Sequence, residues 1–160
     1  MQKVTILCVG KLKEKFYAEA AAEYMKRLGR FCKAEIVELP EERLPEDPSP
    51  ALIEAALAKE AAIVTSKLPD SAFVIALCVE GKSYSSEALA ALFADSANRG
   101  ISHVVLLIGS SFGMHPSLKA KADVRLSMSP MTFPHHLARV MLLEQIYRAY
   151  QINAGSKYHK

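Results

Sequence analysis

The chain of 160 residues lacks several ordinary signatures, and each absence removes a class of function. No apolar run approaches the roughly 20 residues needed to span a bilayer. The opening residues, Met1 to Gly10, lack the apolar core and small-residue cleavage site of an export leader and read as a strand. Cysteine is scarce: Cys8, Cys32 and Cys78 form no C-x-x-C pair, have no histidine close in sequence, and lie in or beside apolar stretches. They are expected to be buried small hydrophobes in a reducing compartment, the cytoplasm, rather than redox groups or ligands. There is no G-x-G-x-x-G, no P-loop and no G-x-S-x-G elbow. His135 and His136 are adjacent, so on a helix they diverge and cannot chelate as an i, i+4 pair; no metal is expected.

What is present is a soluble-type composition, 51% hydrophobic and 23% charged, sufficient for one domain with a real core over residues 1–160. The net charge is +3, but it is unevenly spread. Residues 1–33 carry eight basic side chains against three acidic, residues 41–60 two against six, and residues 135–160 four against one. A basic surface built from the two ends could meet a polyanion such as RNA. Solvated helix faces would leave the same pattern.

Val4 to Val9 is a β-branched apolar run closed by Gly10. From Glu14 to Leu28, apolar residues every four positions (Phe16, Ala20, Tyr24, Leu28) predict an amphipathic helix stopped at Gly29. Ala34 to Leu39 reads as a strand, and the proline- and acid-rich segment from Pro40 to Pro50 as a loop. Ala51 to Lys67 predicts a helix. Phe73–Val79 and His103–Ile108 are apolar throughout, as central parallel strands covered on both faces would be. Between them Ser85 or Ser86 caps a helix ending before Gly100. A short strand at Val124–Ser127 and a final helix, with Pro134 in its first turn and an end near Ile152, complete the alternation. The expected fold class is α/β: an open, mostly parallel sheet with helices on both faces.

In such sheets ligands bind beyond the carboxyl ends of the strands. Three of those ends are unusual. One runs into Glu80-Gly81-Lys82. A second runs into Gly109-Ser110-Ser111-Phe112-Gly113, where glycines admit close backbone approach to a ligand, or simply make a tight turn. The third, Met128 to Pro134, packs two methionines, a phenylalanine and two prolines into seven residues. It could sandwich a flat base, or tuck beneath the last helix. That helix carries Leu137, Val140, Met141, Leu142, Leu143, Ile146, Tyr147 and Tyr150 around most of its circumference, which suggests a partner subunit on a second side. Glu144 and Arg148 are spaced for a local ion pair, whereas Arg139 has no such neighbour. The tail ends in Tyr158-His159-Lys160, either a frayed terminus or a stacking and titrating group for a flipped base.

Four segments, Ile6 to Lys15, Met131 to His135, Glu144 to Tyr150 and Tyr158 to Lys160, taken in this order and spacing, resemble the RlmH family of ribosomal RNA methyltransferases nearly end to end. The resemblance implies a SPOUT fold with a C-terminal trefoil knot and a homodimer. It implies S-adenosyl-L-methionine (S-adenosylmethionine) as cofactor, and methylation of N3 of a pseudouridine in 23S ribosomal RNA on the assembled ribosome. Carried onto this sequence, it places the cofactor at Leu77, Gly109, Met128, Ser129, Pro130, Met131, Thr132 and Phe133, and the reaction or RNA contacts at Arg148, Tyr158 and His159. The chain departs from the family's usual pattern at Ser110, commonly a second glycine, and at Pro130, commonly a lysine or similar residue. Two rival readings are an RNA-binding module without catalysis and a nucleotide-binding α/β enzyme of unrelated chemistry. Binding of S-adenosylmethionine separates all three.

The girth of the last helix generates the first prediction. Sedimentation equilibrium at micromolar protein should report twice the chain mass of 17.6 kDa. A stable monomer that still methylates RNA would contradict it.

Overall fold

A computed structural model describes residues 1–160. Five strands alternate with five helices: β1 (Lys3–Val9), α1 (Lys15–Leu28), β2 (Lys33–Leu39), α2 (Pro50–Lys67), β3 (Phe73–Ser83), α3 (Ser86–Asn98), β4 (His103–Ile108), α4 (Pro116–Lys121), β5 (Val124–Ser127) and α5 (His135–Asn153). The strands form one sheet in the order β2-β1-β4-β3-β5, and every pairing is parallel. Alternate residues of each strand feed two cores. Val4, Ile6, Val104 and Leu106 face α1, α3 and α5; Leu7, Val9, Val105 and Leu107 face α2 and α4. Both faces are therefore sealed, as the apolar runs require.

The helix starts follow capping chemistry. Ser49 Oγ accepts the Leu52 N–H ahead of Pro50, and Ser85 Oγ accepts the Ala88 N–H, so Ser85 and not Ser86 is the cap of α3. The Ser86 hydroxyl is free to donate to Gln145 of α5 at 2.7 Å. Pro134 caps α5 from outside rather than sitting in its first turn.

Strand β3 is longer than its apolar run predicts. Between Leu77 and Lys82 the chain bulges, so that both residues pair with Leu126 of β5. Gly81 makes this possible: a Cβ there would lie 2.7 Å from the Arg125 carbonyl oxygen. The sequence predicts that the strand ends into Glu80-Gly81-Lys82; the bulge returns the chain to the sheet edge instead.

Helix α5 lies between α1 and α3, and no residue of it from His135 to Ile152 is fully exposed. Much of its apolar girth is thus covered within the chain, leaving Leu137, Val140 and Met141 half-buried. Arg139, which has no ion-pair neighbour one helical turn away, is 2% exposed and finds its partner on a distant strand. Its guanidinium donates to Glu38 of β2 at 2.7 Å and to the Gly10 carbonyl at 3.1 Å, tying the start of α5 to the ends of β1 and β2. Burial alone would raise the Glu38 carboxyl. The Arg139 hydrogen bond, the Leu12 N–H and the charges of Arg139 and Lys11 together hold it below its ordinary value.

Arg139→Ala strands Glu38 and should destabilise the fold by about 3 kcal/mol in urea unfolding at neutral pH. Because the Glu38 carboxyl is depressed in the folded protein, the pair stabilises above the unfolded carboxyl range and that contribution is lost as pH falls through the folded value. The deficit of the variant should therefore narrow on acidification. A deficit that is absent, or constant with pH, would contradict this.

Candidate active site

At the carboxyl ends of β3, β4 and β5 the sheet opens into a cleft of about 570 Å³. Its walls include Leu77, Gly109, Met128, Ser129, Met131, Thr132 and Phe133. Pro130 is exposed and is not part of the lining. Side chains that motif reasoning did not single out also contribute: Val79 and Glu80 from the bulge, Met114 and Lys119 around α4, and His135 and Ala138 from α5. The bulge residues were hidden by the expectation that β3 ends at Val79. His135 and Ala138 could have been found from the position of the final helix directly after the apolar loop.

The cleft is an apolar seat with a polar backbone floor. Met131 is 71% exposed and Val79 47%, so large apolar surface faces the opening. The loop from Ser127 to Met131 is folded by its own hydroxyls: Ser127 Oγ donates to the Ser129 carbonyl at 3.1 Å, and Ser129 Oγ accepts the Met131 N–H at 3.0 Å. Glu80 pairs with Lys119 at the rim. The Nε2 of His135 is enclosed without a hydrogen-bond partner. Burial and then the neighbouring His136 hold its pKa down, against the opposing charge of Glu41, which favours a neutral imidazole beside the cleft.

The two glycines of the β4 loop serve different needs. Gly113 has φ +94°, in the left-handed region, with nothing near a hypothetical Cβ. Gly109 has ordinary backbone, but a Cβ there would lie 2.4 Å from the Gly113 carbonyl oxygen. The turn is closed by Ser110 N–H to Gly113 O at 3.1 Å and Gly113 N–H to Ser110 O at 2.9 Å. Gly109 is thus required by the loop's own backbone, before any ligand enters.

Arg148, Tyr158 and His159 come together elsewhere. Glu144 accepts from Arg148 at 2.8 Å and from the Tyr158 hydroxyl at 2.9 Å. The Arg148 guanidinium lies 4.8 Å from the Tyr158 ring centroid. His159 Nδ1 is 3.1 Å from Arg148, and its Nε2 is 2.7 Å from Glu87 of α3. Since arginine can only donate, Nδ1 is the acceptor and Nε2 carries the proton given to Glu87. Burial and the Glu144 hydrogen bond raise the Tyr158 phenol, which stays protonated, and Glu144 keeps Arg148 firmly charged. The tail is accordingly ordered against α5. Arg148 is ten residues beyond Ala138, the last cleft residue of α5, or about 15 Å along the helix. One chain therefore does not bring this cluster to its own cleft.

Comparison with known proteins fits this geometry. Residues 2–159 match the family model described as a predicted SPOUT methyltransferase. The chain is 53% identical over 158 residues to the ribosomal RNA large subunit methyltransferase H of Bifidobacterium adolescentis, covering 99% of each. It is 48% identical over 157 residues to the protein of the same name from Clostridium novyi, covering 98% of this chain and 99% of that one. Among solved structures, a probable methyltransferase from Bordetella pertussis superposes with a TM-score of 0.55 at 16% identity, over 93% of this chain and 96% of that one. A probable methylase family protein from Haemophilus influenzae gives 0.55 at 14% identity, over 98% and 70%. At such identity the structures speak for the fold alone.

The Gly109 geometry revises what a substitution there would test. Even Gly109→Ala should break the Ser110–Gly113 turn, lowering unfolding free energy by about 2 kcal/mol as well as impairing the cleft. A variant with wild-type melting would show that the turn can move aside at little cost.

Proposed function

The chain belongs to the SPOUT methyltransferase family, and from that premise we propose that it transfers a methyl group from S-adenosylmethionine to N3 of a pseudouridine in 23S ribosomal RNA, on the assembled ribosome. One observation carries the reading: 53% identity over 99% of both chains with a relative named as a ribosomal RNA large subunit methyltransferase. The reading includes a cytoplasmic homodimer and a trefoil knot in the C-terminal part of the chain.

The cleft fits the proposed cofactor. Its volume of about 570 Å³ is in the usual range for a small-molecule site. Leu77, Met128, Met131 and Phe133 offer apolar faces for a flat purine, and the backbone of the 109–113 turn and the Ser127–Met131 loop supplies polar groups for the rest. Pro130, implied by the resemblance, could serve only by stiffening that loop. No three His, Cys, Asp or Glu side chains gather where they could hold a metal ion.

S-adenosylmethionine supplies a methyl already activated on a sulfonium. The protein's share is to place the target nitrogen in line and to manage its imide proton. Arg148, held charged by Glu144, is suited to stabilise the base as its N3–H is lost. The Tyr158 ring is suited to stack on an extruded base. His159 Nδ1 becomes a proton acceptor once Arg148 turns toward the substrate. The 15 Å offset between these groups and the cleft is the reason to assign them to the partner's cleft, across an interface that would include Leu137, Val140 and Met141.

Removing Tyr158 to Lys160 should leave S-adenosylmethionine affinity within about twofold, because the tail is assigned to the target base rather than to the donor. Melting should fall modestly with the loss of the Glu144 and Glu87 contacts. Labelled-methyl incorporation into ribosomes lacking the modification should drop to background. Comparable incorporation by the truncated protein would return the search for reaction residues to Arg139, Arg148 and the Met128–Pro134 loop. No incorporation by the intact protein would overturn the proposed function itself.

A further inference from the structure

Glu60 sits within α2, across the sheet from α5, and is only 5% exposed. A carboxylate buried so deeply is costly unless its oxygens are partnered. Both are: Oε1 accepts the Ser110 hydroxyl at 2.9 Å, and Oε2 accepts the Glu42 backbone N–H at 2.9 Å. Ser110 is itself 6% exposed, and its Oγ also lies 3.4 Å from the Gly113 carbonyl. The next residue, Ser111, gives its N–H and hydroxyl to Glu41 at 3.3 and 2.9 Å. Two carboxylates therefore clamp two consecutive serines of the turn that floors the cleft.

Packing does not do the same job. Beneath the turn lies a void of about 10 Å³, lined by Leu57, Glu60, Ala61 and Val64 on one side and by Gly109 and Gly113 on the other. That is room for about one water molecule. The underside of the loop is thus incompletely filled, and the Glu60–Ser110 hydrogen bond bridges the gap. The rest of the helix face around Glu60 is apolar, and methyl transfer needs no carboxylate there.

We propose that Glu60 is a positioning residue for the methyl-donor loop, acting through the Ser110 hydroxyl to fix the Gly109–Gly113 backbone from a helix that does not line the cleft. The inference rests on the reading of the cleft as the S-adenosylmethionine site. Without the clamp the turn is held only by its own Ser110–Gly113 backbone bonds, and binding must order it. Affinity then falls while the step after binding is unchanged.

The test is calorimetry with S-adenosylmethionine, paired with steady-state kinetics on ribosomes, for Glu60→Leu, Glu60→Gln, Ser110→Ala and the Leu/Ala double variant. Glu60→Leu and Ser110→Ala should each weaken binding about tenfold, the size of one hydrogen bond to a charged group. The double variant should be no weaker than Glu60→Leu alone, because that change already removes the acceptor of the Ser110 hydroxyl. KM for the donor should rise in step, with kcat at saturation within about twofold. Glu60→Gln keeps one acceptor oxygen and should recover part of the loss. If Glu60→Leu does not fold, Glu60→Gln and Ser110→Ala carry the comparison. Lower melting temperatures with unchanged affinity and KM would make Glu60 merely structural and overturn the proposal, as would losses that add in the double variant. If the unsubstituted protein binds no S-adenosylmethionine, the reading of the cleft fails and this inference falls with it.

Discussion

A strand covered by helices on both faces has little room for polar side chains along its length, so the chemistry of such a sheet is driven to its ends. Val104 to Ile108 is buried throughout, and the residues that follow are where polarity first returns. Of the six buried polar side chains, Ser110 and Ser127 lie just past or at strand ends, while Glu60 and Arg139 reach those ends from flanking helices. The cleft, the glycine turn and the apolar loop before α5 all occupy this single edge. What the sheet excludes from its faces, it concentrates there.

The edge is also where backbone replaces side chain. Gly81 lets the β3 bulge lie against β5, and Gly109 lets the β4 turn fold on itself; in both places a Cβ would collide with a carbonyl oxygen. Such close approach leaves backbone groups within reach of a ligand, beside apolar residues that face the opening. The supports for this edge come from remote parts of the chain. Arg139 fixes α5 to the ends of β1 and β2, and Glu60 and Glu41 hold the serines of the turn.

Much of this was legible in the sequence because it is periodic or compositional. The unbroken apolar runs of β3 and β4 announce a parallel sheet, and Ser85 and Pro134 mark the starts of α3 and α5 within a residue or two. The loop from Met128 to Pro134 stands out because so apolar a stretch fits neither strand nor helix. What was not legible depends on long-range contact. Nothing near Arg139 in sequence points to Glu38, about a hundred positions away. Nothing in an alanine-rich helix distinguishes Glu60 from a solvated acid until Ser110 is seen beside it. The bulge in β3 escaped notice because a glycine after an apolar run reads equally well as an exit. Gly109 reads in sequence either as a tight turn or as a place for a ligand, and its first obligation is to its own loop.

The account depends most on the separation of two clusters within one chain, an apolar cleft at one end of α5 and the Arg148, Tyr158 and His159 group about 15 Å further along it. On the proposed reading the cleft holds the methyl donor and the other group handles the base, so two copies would share one site. Mixed-subunit complementation tests this directly. One variant carries Met131→Arg, which sets a cation in the cleft against a cationic donor; the other carries Arg148→Ala with the cleft intact. The account predicts that each alone fails to methylate ribosomes, and that activity returns when the two are unfolded and refolded together, because mixed dimers regain one whole site. A refolded mixture that forms mixed dimers yet stays as inactive as its components would contradict it.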